Sequence, residues 1–368
     1  MNTEDQVGQM FSYGTGPRRV CLRRPLFLAP LAGATEICFR EICHELGAGQ
    51  VCTELVSARG IRYSGLEACR RYLEIDPKRE GPVAIQLFGF DPEDFRYAAA
   101  ALLDDPRYRH MAALDINMGC PVKKVVKTGA GAALMLDVKR AVAIVKAVKS
   151  IIDPVGIPVS CKFRKGYAAD ESTALDFGLE MAEAGVDLLA IHARTQAQGY
   201  SGTADHQVTA ALCSALRARG YKQPLIANGD IDGVESAGRI LAETGADGLM
   251  IGRAAMQDPF VFERIAAALY PETFSETERR EAEACEAGED YCRRLGLARR
   301  YYEALADRLG ELRASREIRA VLMKLFAHFP GASHLRAQIS ELADRASYRD
   351  FFDALEANLK RRYSNPCD

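Results

Sequence analysis

Residues 113–164 decide the fold: ALDINMG (113–119), VKRAVAIVKAVKSII (138–152) and PVSCKFR (158–164) follow one another. The outer two are short, largely apolar runs of strand length. The middle one repeats apolar positions every three or four residues, the period of a helix with one buried face. Strand, helix and strand in succession imply parallel pairing with a crossover helix, and near-continuous apolar strands imply burial on both faces. The pattern extends in both directions. Six further runs occur: PLFLAPLAG (25–33), QVCTELV (50–56), PVAIQLFG (82–89), DLLAIHAR (187–194), PLIANGD (224–230) and DGLMIGR (247–253). Helical segments such as STALDFGLEMAEAG (172–185) lie between most of them. Eight β/α units within about 235 residues predict a closed (β/α)8 TIM barrel rather than an open sheet.

After Pro259 the pattern changes. Residues 260–270 and 291–363 keep helical periodicity without strand-like runs, which predicts a smaller, all-helical C-terminal domain. The boundary is expected between 257 and 258, giving a barrel over 1–257 and a helical domain over 258–368. The segment 276–290 holds seven acidic and two basic residues and reads as a solvated helix or a connection. Residues 291–324 then hold nine basic side chains (Arg316, Arg319 and Lys324 among them) against four acidic ones. A basic helical face is ordinarily solvated surface, and it is also what a nucleic-acid contact needs.

The 368 residues fit one barrel of about 250 residues plus an appendage. With 48% hydrophobic and 27% charged residues, disordered and fibrous classes are excluded. A net charge of −2 excludes a protein held to nucleic acid by bulk charge alone, leaving only local patches. The eleven cysteines are odd in number, scattered, and often inside apolar runs (Cys38, Cys43, Cys52, Cys161), with no CxxC pair. That argues against a disulfide scaffold and against a metal site. The opening MNTEDQVGQMFSYG lacks a basic and then apolar leader pattern, and no run of 18 apolar residues occurs. The expectation is a soluble, reduced, cytoplasmic protein, monomeric and without membrane contact.

Polar residues gather where each apolar run ends: Glu54, Gln86, Asn117, Cys120, Lys162, Arg164, His192, Arg194, Asn228, Asp230 and Arg253. In a barrel those ends share one rim, where catalytic loops sit. Strand ends meet solvent and are often polar, but that does not account for Asn, Gln, Lys and His inside otherwise apolar runs. The stretch DINMGCPVKKVVKTGAGAALM (115–135) says most. Asn-x-Gly-Cys-Pro after a buried strand makes a tight turn presenting Cys120, a thiol suited to be a nucleophile, a metal ligand or a proton donor, or simply one more buried cysteine. TGAGAA (128–133) gives a backbone able to pass close to something bulky. ANGDI (227–231) and IGRAA (251–255) end the last two strands in glycine beside a polar residue, the place where barrels often hold phosphate. With no P-loop and no GxGxxG after the first strand, ATP and a tightly held nicotinamide dinucleotide are disfavoured. Lys162 and His192 inside apolar strands suit an anionic ring such as a reduced flavin.

Taken together, LAPLAGAT (28–35), IQLFG (85–89), DINMGCPVKKV (115–125), CKFRKG (161–166), IHART (191–195), ANGDI (227–231) and GADGLMIGRAA (245–255) resemble the tRNA-dihydrouridine synthases. The likeness is greatest to the bacterial group with NMGCP-x-KKV. It spans about 25–265 and extends weakly into the tail. It implies an FMN-containing barrel and a helical domain that helps to grip tRNA, with NADPH as reductant. By motif, Pro30, Leu31 and Ala32 border the flavin ring. Gln86, Lys162 and His192 meet its polar edge, His192 also facing the substrate side. Asn228, Gly229, Asp230, Gly252 and Arg253 surround the ribityl chain and phosphate. Asn117, Arg164 and Arg194 line the substrate side, Cys120 matches the proton donor, and Arg316, Arg319 and Lys324 lie near the tRNA-gripping helix. Leu31 replaces the family's methionine, and Glu36 its aspartate. IRAVLMKLFAHFP (318–330) lacks the histidine and tryptophan usual in the tail. The rival readings are a small-molecule FMN barrel of dihydroorotate-dehydrogenase type, which needs no helical tail, and a non-catalytic RNA-binding module, which needs no Cys120, Lys162 or His192.

Overall fold

The computed structural model describes residues 10–274 and 287–363. The chain forms two compact units, Met1–Gly252 and Arg253–Asp368. The helix Arg253–Gln257, read from sequence with the barrel, belongs to the second unit because it packs on the helix Glu311–Leu325.

The first unit begins with an antiparallel hairpin of β1 (Phe11–Tyr13) and β2 (Val20–Leu22). All eight expected strands follow. They are β3 (Leu26–Leu28), a second strand split into β4 (Val51–Cys52) and β5 (Val56–Ser57), then β6 (Val83–Phe88), β7 (Ala113–Met118), β8 (Val159–Arg164), β9 (Leu188–His192), β10 (Leu225–Asn228) and β11 (Gly248–Ile251). Every pairing among β3–β11 is parallel, in the order β3-β11-β10-β9-β8-β7-β6-β4, with β5 also on β6. A parallel bridge between Phe27 and Gln50 brings the first and second barrel strands together and nearly closes the cylinder. The second strand is split where the Thr53 hydroxyl accepts from the Gln86 amide (3.0 Å), a side chain standing in for the ladder.

Side chains alternate strictly across the barrel wall, as the pleat requires. Ile85, Leu87, Leu114, Ile116, Cys161, Phe163 and Ile191 point outward onto helices such as Val138–Ile152 and Ala174–Glu183 and form the larger core. Phe27, Ala84, Ala113, Ala190, Ile226 and Met250 point inward, and Tyr13, Val20 and Leu22 of the hairpin cover them. The inside is therefore apolar at the amino ends of the strands. The hairpin escaped the sequence reading because its strands are three residues long, shorter than a periodic pattern needs.

The described residues of the second unit form helices, Arg253–Gln257, Val261–Leu269, Ala287–Leu309, Glu311–Leu325, Ala332–Glu341 and Arg345–Tyr363, with a short turn at Pro271–Thr273. Its core is aromatic, with Tyr302 stacked on Tyr348 (4.0 Å between centroids) beside Phe352. Most of the acidic segment, 276–286, lies outside the described residues. Among the described residues eight cysteines are free thiols and Cys292 is disulfide-bonded, which corrects the expectation of uniformly reduced cysteines. Among the described residues no helix is long and apolar enough to cross a membrane.

Candidate active site

The inward positions that begin apolar turn polar towards the carboxyl ends of the strands. On β6 they run Ala84, Gln86; on β7 Ala113, Asp115, Asn117; on β8 Ser160, Lys162, Arg164; on β9 Ala190, His192; on β10 Ile226, Asn228. Register then sets them in tiers. Gln86 pairs with Asp115 and Asp115 with Ser160; Asn117 pairs with Lys162; Arg164 pairs with His192 and His192 with Asn228. Parity and register alone gather these residues of five strands at one rim.

A continuous hydrogen-bond chain joins the two lower tiers. Ser160 Oγ donates to Asp115 Oδ1 (2.5 Å), Gln86 Nε2 donates to Asp115 Oδ2 (2.6 Å), and Asn117 Nδ2 donates to Gln86 Oε1 (2.7 Å). Asn117 Oδ1 in turn accepts from the Cys120 amide (2.9 Å) and the Gly119 amide (3.2 Å). Because Asp115 accepts from Gln86, every amide along the chain has one orientation, and the turn carrying Cys120 is pinned to the barrel floor. Burial raises the Asp115 carboxyl above its ordinary range, while these donors pull it back down. The Cys120 thiol is half-buried, and burial raises its pKa above the ordinary 9.0 despite Arg164 and Lys162 nearby. It is a thiol at neutral pH. A proton donor needs this state; a nucleophile does not use it. The Cys120 carbonyl accepts from the Ala132 amide (3.1 Å), so the loop through 128–133 folds back on the turn.

Lys162 is lowered to about 8, first by desolvation and then by the neighbouring Arg164. Among the described residues its amine has no hydrogen-bond or ion-pair partner. The side chain is half-buried at the rim, where an acidic group brought from outside can meet the amine. Arg164 and Arg194, expected on the substrate side, are each only 2% exposed and are spent on loop carbonyls. Arg164 donates to the carbonyls of Gly119 (2.7 Å), Thr195 (2.8 Å) and Gly199 (2.9 Å). Arg194 donates to those of Ser201 and Gly202 and to Asp230 Oδ2 (2.7 Å), leaving its buried Nη1 without a partner. Asp230 stands at φ 51° and also accepts from the Ala204 amide (2.7 Å). Asn228 Nδ2 donates to the Met250 carbonyl (2.7 Å), and His206 Nε2 lies 2.9 Å from the Gly229 carbonyl.

Pro30, Leu31 and Ala32 form the turn after β3, with Thr35 Oγ1 bonded to the Leu31 amide (3.1 Å). Gly252 abuts Ala29 and Leu31, and Arg253 opens the first helix of the second unit. Glu36 caps the helix Ile37–Glu45 through the amides of Cys38 and Phe39 (2.7 Å each). Of the tail residues, Arg316 and Lys324 are exposed, whereas Arg319 is half-buried and donates to the Leu342 carbonyl (2.5 Å). Asp115, Ser160, Tyr200 and His206 were not singled out from sequence. The first two share inward parity with Asn117 and Lys162, a signal available there. Tyr200, whose ring faces His192 and the Arg164 guanidinium, lies in a loop without periodicity.

A (β/α)8 barrel that gathers Gln86, Asn117, Cys120 and Lys162 on the rim at the carboxyl ends of its strands has the architecture of a barrel enzyme. Comparison with known proteins narrows this. The family model of dihydrouridine synthase (Dus) matches residues 27–362, and the chain belongs to that family of oxidoreductases. A probable tRNA-dihydrouridine synthase 1 of Synechocystis is 35% identical over 334 residues, 90% of this chain and 86% of that one. The tRNA-dihydrouridine synthase B of Pseudomonas syringae is 33% identical over 89% of this chain and 91% of its own. Among solved structures, the crystal structure of TcOYE with pHBA has a TM-score of 0.50 at 13% identity, covering 70% of this chain and 91% of its own. The 2-naphthoyl-CoA reductase complex with 2-naphthoyl-CoA has a TM-score of 0.51 at 10% identity, covering 67% and 50%. At such identities these two speak for the fold alone.

Proposed function

We propose that this protein reduces uridine in tRNA to 5,6-dihydrouridine, with FMN as its flavin, NADPH as the reductant and Cys120 as the proton donor. Family membership supports the reaction class. One structural observation carries the site assignment: the half-buried Cys120 turn at the end of β7, tied to Asn117, beside Lys162 on the next strand, β8, whose amine has no partner among the described residues. Lys162 and Gln86 would hold the polar edge of the isoalloxazine, with His192 beside them, and Pro30, Leu31 and Ala32 would border the ring. Asn228, Gly229, Asp230, Gly252 and Arg253 would take the ribityl chain and phosphate. The donor set fits: a half-buried ammonium without a protein partner suits a ring system whose reduced form is anionic.

When bound, the flavin supplies the hydride that the electron-poor carbon 6 of uracil accepts. The chain's own contribution is the proton. Cys120 carries it on Sγ and delivers it to carbon 5, and Asn117 and Asp115 keep the turn in place while it does so. Arg164 and Arg194 act through the loops they brace, which border the substrate side. A target inside folded tRNA must leave its stack to reach this rim, at a cost of a few kcal/mol. Phosphate contacts from Arg316 and Lys324 would offset part of it. The same reading makes the protein cytoplasmic, where tRNA is.

The test is direct. Purified protein should be yellow, release FMN on denaturation as judged by mass spectrometry, bleach with NADPH, and convert uridine to dihydrouridine in tRNA lacking it. Recovery of FAD or of no flavin refutes the cofactor assignment. Bleaching with no dihydrouridine formed refutes the substrate.

A further inference from the structure

Several of the basic side chains around the barrel are matched to carboxylates. Arg40 pairs with Glu80, Arg62 with Asp94, Arg79 with Glu41, Lys149 with Asp153, Lys165 with Asp205 and Arg217 with Asp247. Among those without a carboxylate, one group is clustered beside the Cys120 turn. Lys123, Lys124 and Lys127 are all exposed and have no hydrogen-bond or ion-pair partner among the described residues. They fall within eight residues of Cys120 and occupy the short helix Lys123–Val126 and its final cap. Lys123 and Lys127 lie one turn apart on the same face, where like charges repel. Nothing in the local fold offsets that repulsion.

The segment is held in place. Its start is the Cys120 turn, which is tied to Asn117, and its end returns to the same turn through the Ala132 amide on the Cys120 carbonyl (3.1 Å). Between them Gly129 sits at φ +82° against the Phe90 ring, so close that a Cβ there would lie 2.5 Å from Phe90 Cδ2. The Arg140 guanidinium lies 3.9 Å from the centroid of the same ring. The lysines are therefore carried on a braced loop that begins and ends at the thiol. Val122, 54% exposed, and Leu136, 61% exposed, flank it with apolar surface.

We infer that Lys123, Lys124 and Lys127 form a clamp for the sugar–phosphate backbone on either side of the target nucleotide, which holds the extruded base over Cys120. The inference rests on the proposed tRNA substrate and deepens it. A polyanion is the partner that fits: three unmatched cations on a chain of net charge −2, on the loop of the proton donor. The contacts carry no base specificity, so they set affinity and position, and the choice of uridine lies elsewhere.

The experiment is filter binding of tRNA lacking dihydrouridine across a KCl series, with dihydrouridine formation measured on the same samples of flavin-loaded enzyme. In K123Q/K124Q/K127Q the slope of log affinity against log salt should flatten by about 2 to 3, at roughly 0.7 to 0.9 per lost contact. KM for tRNA should rise about tenfold or more, with kcat recovered at saturating tRNA. K123R/K124R/K127R should restore both, and flavin content and melting temperature should match wild type. If the triple variant does not fold, the three single Lys→Gln variants carry the same test, each flattening the slope by about 0.7 to 0.9. A Gln variant whose titration superimposes on wild type, or a loss that arginine does not restore, overturns the clamp. Failure of the substrate reading is seen separately, as wild-type enzyme that forms no dihydrouridine, while the binding comparison still judges the lysines.

Discussion

Cys120 and Lys162 divide the chemistry between them, and each can be removed with a distinct consequence. Cys120→Ala should keep its flavin and its bleaching by NADPH yet form dihydrouridine at least about a hundredfold more slowly, the range in which a positioned proton donor contributes. Stopped-flow measurement of the two half-reactions checks this, and slow bleaching in the variant would mean that the thiol serves the reductive half instead. Lys162 is a liability until it has a partner. Its pKa falls from 10.5 to about 8 in the folded apoprotein, so the unfolded chain binds that proton more tightly than the folded one. Below pH 8 the buried charge costs stability, and the cost fades as the pH climbs from 8 towards 10.5. Lys162→Met apoprotein should therefore melt at a higher temperature than wild type at pH 7, with the gap narrowing by pH 10, while flavin retention drops. Equal melting curves at pH 7 would show that the amine is not desolvated. Both residues were legible in the sequence because a lysine inside an apolar strand and a cysteine in a glycine–proline turn break local patterns. Arg164 and Arg194 were legible as rim residues, but their bonding to carbonyls of the loop 195–202 depends on a loop path that no periodicity encodes.

At the scale of elements, the turn Asn117–Cys120 and the loop 128–133 act as one piece. Gly131 stands at φ +61°, and a Cβ there would lie 2.8 Å from the Cys120 carbonyl oxygen and 3.1 Å from Cys120 Cβ. Gly131→Ala adds backbone strain of about 1 to 2 kcal/mol in that conformation and pushes on the thiol's own residue. It should slow dihydrouridine formation while leaving flavin content intact, and Gly131→Ala with Cys120→Ala should be little slower than Cys120→Ala alone. Independent, multiplicative losses would uncouple the two elements. Apart from the first, which ends at Leu28 rather than Gly33, and the second, which is split, the strands were readable to within about two residues because a doubly covered parallel strand is an apolar run whatever its neighbours. Which side of the wall a polar residue takes was also encoded, since parity puts Asp115 and Ser160 inside with Asn117 and Lys162. The hydrogen-bond chain among them needed register, a property of two strands together that one sequence read linearly does not display. The split of the second strand at Thr53 is likewise a consequence of a side chain meeting a neighbouring strand.

For the whole molecule, charge balance in the second unit limits what the basic run can do. Several of the nine cations in 291–324 are matched within the unit. Arg293 meets Glu263 (2.6 Å), and Arg294 meets Asp258 (2.9 Å) and Asp290 (2.7 Å). Arg299 meets Asp353 (2.7 Å) and Arg313 meets Glu317 (2.9 Å). Counting charges along the sequence could not reveal this, because most of these carboxylates lie thirty or more residues away. Arg316 and Lys324 remain exposed without an ion-pair partner among the described residues, whereas Arg319 is engaged with Leu342 and with the Tyr348 hydroxyl. The three residues should therefore separate under substitution. Arg316→Ala with Lys324→Ala should leave melting and flavin content unchanged and flatten the salt dependence of tRNA binding by about 1.4 to 1.8, two phosphate contacts. Arg319→Ala should instead lower stability by about 1 to 3 kcal/mol for buried partners left unpaired, seen as a lower melting temperature, with little change in slope. Melting curves and filter-binding titrations of both variants check the assignment. If Arg319→Ala flattens the slope at unchanged stability, Arg319 turns outward to the RNA when tRNA binds.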